Sequence, residues 1–336
     1  MATAGEPGCP VRYASVVVFH NGLGDYLLAL PTLRALAAEL PRPSLLVTGR
    51  GPQEFIVADT SFDDRLLLPF ERTATTTEFD WQQVARVCAG CAILVSVCPF
   101  PSVSLERLVE AVRPARTIGL GPPCVEMVDY LADAHECDVL FGVARRVQAF
   151  ARIEQFAAPL PSSTRTTETA ARIRASLPPA ARLLVAHVDT IPGKTWPLAA
   201  LDAALHEILA AHAGIHAVVL NAPPGSLPVT AASGSVACLE GISLDRAMCL
   251  AGACDVFLGV DSCMLHAADL CRRPGVGLFA VTQARRFGFR WSPRDVVREL
   301  QASCMSDHDP RLVAAAVNSV MAAQRVAGAG SHVTAG

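Results

Sequence analysis

The sequence predicts an α/β protein made of two doubly wound, Rossmann-like halves. Short unbroken apolar runs alternate with amphipathic helical stretches, the pattern of a parallel sheet covered on both faces. The alternation stops at a polar stretch rich in Pro, Ser and Thr, "APLPSSTRTTETA" (158–170), and then restarts. The length of 336 residues suits two domains of ordinary size or one large one.

In the first half, "ASVVVFH" (14–20) is β-branched and apolar. "NGLGD" follows, then "YLLALPTLRALAAEL" (26–40), apolar at helical spacing. That reads as strand, glycine turn, helix. Residues 44–49, 65–70 and 91–97 read as further strands. Residues 104–112 read as a helix with Ser at its cap and Glu in its first turn, and 115–120 as a strand. In the second half, 182–188, 216–221, 254–260 and 275–281 read as strands. Residues 198–212 and 243–253 read as helices, and another helix starts at Ser262. The expected domains are 1–157 and 171–336, joined by the linker 158–170. Ligands of such sheets sit beyond the carboxyl ends of the strands, so two facing halves would put a cleft between them.

Composition excludes several classes. Hydrophobic residues make up 51% and charged residues 18%, which supports a sizeable core and argues against disorder. A net charge of -3 gives no footprint of a nucleic-acid binder. No apolar run reaches membrane-span length, and "MATAGEPGCPVRY" lacks the basic start and apolar stretch of a signal peptide. A soluble, cytoplasmic chain with at most peripheral membrane contact is expected. The 12 cysteines are scattered. Cys88 and Cys91 form a CxxC, but no second pair follows at zinc-ribbon spacing, so neither a metal site nor a cofactor is expected.

Three stretches could carry chemistry. In "HNGLGDYLLALP" (20–31), Gly22 and Gly24 allow a tight turn, and Asp25 sits at or just before the helix start. Asp25 reads either as a simple helix cap or as a general base. A dinucleotide site fits less well, because the third glycine of GxGxxG would fall at Leu27. In "AHVDTIPGKTWP" (186–197), Lys194 is the single lysine in a chain whose Lys and Arg total 28. Arginine replaces lysine wherever a generic charge suffices, so Lys194 reads as a compact ammonium kept for a phosphate contact in a tight loop. In "FLGVDSCMLHAADL" (257–270), a strand ends at Val260, and Asp261 and Ser262 open a helix. Its free N–H groups and dipole suit a diphosphate, or form an ordinary cap. His266, on the second turn, reads as a packed residue or a neighbour of that site.

Together these stretches resemble the heptosyltransferase family of glycosyltransferases (family 9). "GLGDYLLALPTLRAL" resembles that family's opening G-x-G-D segment with its later Pro-x-Leu. "HVDTIPGKTWPL" is similar to its His-to-Lys-x-Trp-Pro loop. "GVDSCMLHAADLCRRPGVGLFAVTQARRFG" resembles its Asp-[Ser/Thr]-Gly-x-x-His helix with the strand and turn that follow. "HECDVLFGV" (135–143) resembles a His-x-x-Asp segment. The likeness spans roughly residues 14 to 290 and identifies the family better than the substrate.

The resemblance implies a GT-B fold, with the acceptor held mainly by the first domain and the nucleotide sugar mainly by the second. It implies that the last helix, about 309–325, crosses back to the first domain. It implies inverting, metal-independent transfer of a heptose or related sugar, with ADP-heptose the expected donor, to a small-molecule or glycolipid acceptor. By residue, Asp25 would be the base and Lys194 would neutralise the leaving diphosphate. Asp261, Ser262 and the following N–H groups would hold that diphosphate, with His266 nearby. Thr190 would contact phosphate and Ile242 would lie beside the nucleobase. Gly22, Gly24 and Cys263 complete the implied donor set.

Four departures put the donor in question. "NAPPGS" (221–226) carries no acid where the family often has a ribose-holding glutamate. Asp189 stands near the expected phosphate, Cys263 replaces a glycine, and "AVTQ" (280–283) replaces Gly-Pro-Thr-Asp. A specialised-metabolite glycosyltransferase with another donor is therefore an alternative. So are a non-catalytic nucleotide-sugar-binding homologue and a nucleotide-sugar epimerase of the same architecture.

Overall fold

The computed structural model describes residues 12–73, 75–160, 163–231 and 235–330. Residues 1–11, most of the stretch read for a signal peptide, and Pro161 and Ser162 of the expected linker lie outside the described residues. The chain divides into two units, Met1–Ala157 and Ala158–Gly336.

Unit 1 runs β1 (Ser15–Phe19), α1 (Leu23–Glu39), β2 (Ser44–Gly49), α2 (Glu54–Val57), β3 (Asp64–Leu68), β4 (Phe70–Arg72), β5 (Thr77–Phe79), α3 (Trp81–Cys88), β6 (Ile93–Ser96), α4 (Val103–Val112), β7 (Arg116–Gly119), β8 (Glu126–Met127) and α5 (Glu136–Val147). The main sheet has the order β3-β2-β1-β6-β7-β8, and all its pairs are parallel. Every residue of β1 is buried, which is why its apolar run does not alternate. The winding reverses between β1 and β6. That reversal is the topological switch point, where loops splay apart and leave room for a ligand.

The single strand expected at 65–70 is two strands. Pro69 lacks a ladder N–H, and beyond it the chain leaves the sheet and pairs antiparallel with β5. The cap of α4 is Ser102, two residues earlier than expected, with its Oγ accepting the Leu105 N–H at 3.1 Å. Ser104 instead donates its N–H and hydroxyl to Glu78, at 2.7 and 2.6 Å. Cys88 and Cys91 are buried in the apolar core. Burial pushes their thiols up to about 12 and about 11, so they serve here as small apolar residues.

Unit 2 runs α6 (Thr164–Ser176), β9 (Arg182–His187), α7 (Leu198–Ala211), β10 (Ile215–Leu220), α8 (Pro228–Ala231), β11 (Val236–Leu239), α9 (Leu244–Ala253), β12 (Val256–Val260), α10 (Cys263–Leu270), β13 (Gly275–Phe279), α11 (Ala284–Phe287), β14 (Val297–Gln301) and α12 (Pro310–Gly330). Its sheet is again parallel, in the order β11-β10-β9-β12-β13-β14, and its switch point lies between β9 and β12. The edge strands β11 and β14 were not readable in the sequence. Both are only partly buried; β14 (VRELQ) carries polar residues, and β11 (VACL) is an apolar run of only four residues.

The stretch 158–170 contains the start of α6. Ser163 accepts the Thr166 N–H at 3.2 Å and caps the helix, so part of the Ser/Thr enrichment is a helix start and not a linker. The last helix, α12, lies in unit 2. Val313, Val317, Val320 and Met321 form one stripe at helical spacing, buried in the unit 2 core, and α12 packs along α7. Among the described residues no helix is long and apolar enough to cross a membrane.

Candidate active site

In unit 2, the loop after β9 is built to hold Lys194. Ile191, Pro192, Gly193 and Lys194 form a tight turn, closed by the Lys194 N–H donating to the Ile191 carbonyl at 3.0 Å. Proline stands at its second position and glycine at its third, with φ at +87°, the arrangement of a type II turn. Two clamps fasten the loop below the turn. The Thr195 hydroxyl meets the Thr190 N–H and carbonyl, each at 3.1 Å. The Trp196 N–H donates to the Val188 carbonyl at 3.0 Å, and the Trp196 side chain is fully buried in the core.

From that turn Lys194 Nζ reaches Asp261 Oδ2 at 2.6 Å, from the end of β12. The same oxygen accepts the Thr282 hydroxyl at 2.6 Å, and His266 Nε2 lies 3.4 Å from Oδ1. Asp261 is buried. Burial alone would raise its carboxyl, but His266 and Lys194 outweigh it and hold the group below the usual carboxylate range. Asp261 is thus the hub of the cluster, and Lys194 rests against it.

Ser262 opens α10, yet its hydroxyl does not cap that helix. It lies 3.1 Å from His187 Nδ1, at the end of β9. Burial pushes His187 down to about 4, opposed by Asp189, so it is neutral at neutral pH and bridges the two switch-point strands without adding charge. The first-turn N–H groups of α10 therefore keep the dipole's partial positive charge free of a Ser262 cap. Asp189 is engaged elsewhere, accepting the Asn221 Nδ2–H at 2.8 Å.

In unit 1, the corresponding switch point holds Asp25. Asp25 is the third residue of α1, inside its first turn and not before it. Its Oδ2 accepts the Gly22 N–H at 3.2 Å, and Asn21 Oδ1 accepts the same N–H at 2.9 Å. Gly22 is extended, with φ at -63°, so it is not used for a left-handed turn. A Cβ there would meet Asp25 Oδ2 at 3.1 Å and Arg72 Nη1 at 3.2 Å, so the glycine serves close approach. Gly24 is simply helical. His20 stacks on Phe70, its Nδ1 3.0 Å from the Tyr26 hydroxyl. Burial, then Arg72, lowers His20 to about 4.

A second acid shares this end of unit 1. Glu136 opens α5, is 5% exposed, and accepts the Tyr130 hydroxyl on both oxygens at 3.1 Å. Burial, then the Asp25 charge, pushes it up to about 7.

The family model for glycosyltransferase family 9 (heptosyltransferase) matches residues 139–313. The chain belongs to glycosyltransferase family 9. Solved structures carry the fold of this glycosyltransferase over nearly its whole length. A family 9 glycosyl transferase from Veillonella parvula is 15% identical, covers 94% of this chain and 99% of its own, and superposes with a TM-score of 0.70. The ADP-heptose lps heptosyltransferase II of E. coli is 14% identical over 93% and 99%, at 0.65. E. coli heptosyltransferase WaaC with ADP is 13% identical over 91% and 99%, at 0.61. At these identities the likeness shows the GT-B fold of two Rossmann-like units. No curated protein matches the sequence.

The glycosyltransferase brings some of the sequence-derived residues together and leaves others apart. Lys194, Asp261 and His266 form one cluster, and Ser262 joins it through the chain. Thr190 sits in the Lys194 loop with its backbone closed on Thr195. Cys263 begins α10, half-buried, and burial pushes its thiol up to about 11. Ile242 lies after β11, at the same carboxyl edge but at the far side of the sheet. Asp25, Gly22 and Gly24 belong to unit 1. Asp261, expected as a diphosphate contact, here accepts from Lys194 and Thr282. Sequence reasoning missed His187, Thr282 and Glu136. The first two could have been found as polar residues at strand ends.

Proposed function

We propose that this family 9 glycosyltransferase moves a heptose or related sugar from a nucleotide diphosphate sugar, with ADP-heptose the first donor to test, to an acceptor hydroxyl or amine. The observation that carries the reading is Lys194 beside the uncapped start of α10, at the switch point of unit 2. An ammonium and a helix N-terminus are what a departing diphosphate needs. In the reading, Asp25 takes the acceptor proton as the new bond to the sugar carbon forms. The bond from that carbon to the diphosphate oxygen breaks, and its electron pair leaves with the diphosphate. Attack from the face opposite the leaving group inverts the sugar carbon. Lys194 and the α10 N–H groups take up the departing charge, the work a divalent metal does in other transferases.

One feature favours a second donor. The segment 221–226, which carries no acid where the family often has a ribose-holding glutamate, begins with Asn221, and Asn221 donates to Asp189. A specialised-metabolite transferase with another base or sugar fits that change. Calorimetry with ADP and with ADP-, GDP-, UDP- and dTDP-sugars, with and without EDTA, tests both points. The expected outcome is ADP binding that EDTA leaves unchanged. Binding lost with EDTA and restored by magnesium would overturn the metal-free reading, and preference for another base would select the second donor.

A further inference from the structure

The reaction as proposed gives Thr282 no role, yet Thr282 touches the group that holds Lys194. It lies in the loop after β13. Its hydroxyl donates to Asp261 Oδ2 at 2.6 Å, and the same oxygen accepts Lys194 Nζ at 2.6 Å. His266 Nε2 lies 3.4 Å from the other oxygen. The buried Asp261 carboxylate is therefore gripped from the ends of β9 and β13 and from α10. The Thr282 loop is itself fixed. Gln301, at the end of β14, donates its side-chain N–H to the Ala280 and Thr282 carbonyls at 3.2 and 3.1 Å, and its Oε1 accepts the Ala284 N–H at 3.1 Å. The loop also lies against the lysine turn: a Cβ on Gly193 would meet Val281 Cγ2 at 3.5 Å.

We propose that Thr282 is a positioning residue for Lys194: by holding Asp261 Oδ2 it fixes the carboxylate from which the ammonium is presented to the departing diphosphate. This rests on the reading of Lys194 as the cation that takes up the leaving charge. A lysine side chain is long and free to rotate, so its ammonium stays only where a fixed partner keeps it. The last torsion of an aspartate is soft, so one contact does not fix the plane of its carboxylate. The Thr282 hydroxyl supplies a second contact, from a loop that Gln301 holds in place. It also shares the charge of Oδ2, so Asp261 holds the ammonium less exclusively. An ammonium has three donors, and Asp261 takes one, which leaves the others for phosphate oxygens.

Calorimetry on the full chain tests this. The probe is whichever of ADP, GDP, UDP and dTDP the wild type binds most tightly. Thr282→Val keeps the shape and removes the hydroxyl. It should weaken binding by about 10-fold, the low end of what a hydrogen bond to a charged group contributes. Thr282→Ser keeps the hydroxyl and should bind as the wild type does. In a Lys194→Ala background Thr282→Val should cause no further loss, because a residue that acts through the lysine has nothing left to act on. A residue that only supported the fold would cost the same in both backgrounds. Melting curves confirm folding. Gln301→Ala, which loosens the loop without touching Asp261, repeats the test should Thr282→Val melt early. Wild-type binding in Thr282→Val, no rescue by serine, or an equal loss in both backgrounds overturns the inference alone. Wild-type binding in Lys194→Ala, or a wild type that binds none of the four, overturns the reading of the site, and the inference falls with it.

Discussion

At the scale of a residue, Lys194 stands out by composition, and in the structure it pairs with Asp261. A chain that uses arginine elsewhere keeps an ammonium where Nζ must reach Asp261 at 2.6 Å from a tight turn. A guanidinium is wider, planar and forked, and does not fit that approach. Lys194→Ala should lower turnover by about 10²–10³-fold, and Lys194→Arg should fail to restore it. Steady-state kinetics of the three proteins check this, and full activity in the arginine variant would make the lysine an accident of codon usage. What composition could not show is the other end of the contact. Lys194 and Asp261 are 67 residues apart, and His187 and Ser262 are 75 apart. Such pairings arise from strand order, which no local pattern encodes. Glu136 was hidden for a related reason: a glutamate in a helix's first turn reads as a solvated dipole partner, yet here it is buried.

At the scale of an element, the Lys194 loop is held by its tryptophan. Trp196 is fully buried, and its indole nitrogen has no hydrogen-bond partner among the described residues. Trp196→Ala should cost about 3–5 kcal/mol through the cavity it leaves and should free the lysine turn, weakening ADP binding. Trp196→Phe removes an unsatisfied donor and keeps most of the apolar contact, so it should be much milder. Denaturant melts with ADP titrations separate the two. The central strands were readable because burial on both faces leaves a continuous apolar run, as at 44–49. The edge strand β14 was not, because its exposed side admits polar residues, as in "VRELQ". Within the expected linker, Ser and Thr also cap a helix, and the capping contact of Ser163 marks where α6 begins.

At the scale of the whole molecule, each unit has its own sheet, apolar core and switch point. Unfolding of such a chain need not be a single transition. If the donor nucleotide is held by unit 2, ADP should raise the transition of that unit by mass action and leave the other in place, by about 2.7 kcal/mol at a hundred times its Kd. Scanning calorimetry with hydrogen exchange assigns each transition to its residues. A shift confined to Met1–Ala157 would move the nucleotide to unit 1. The alternation of strand and helix made the two-unit architecture readable from the sequence. The stripe Val313, Val317, Val320 and Met321 of α12, buried in the unit 2 core, follows the helical spacing that its sequence shows.

The turn that presents Lys194 also gives the protein a single chemical address. Lys194 is the one ε-amine in the chain, and its neighbour Ile191 is 61% exposed. An acylating reagent has one side-chain target, and a lysine-specific protease has one peptide bond to cut, at the edge of a Pro-Gly bend. Occupancy of the site becomes readable as protection of a single amine, so footprinting by mass spectrometry can rank candidate donors on the unmodified protein.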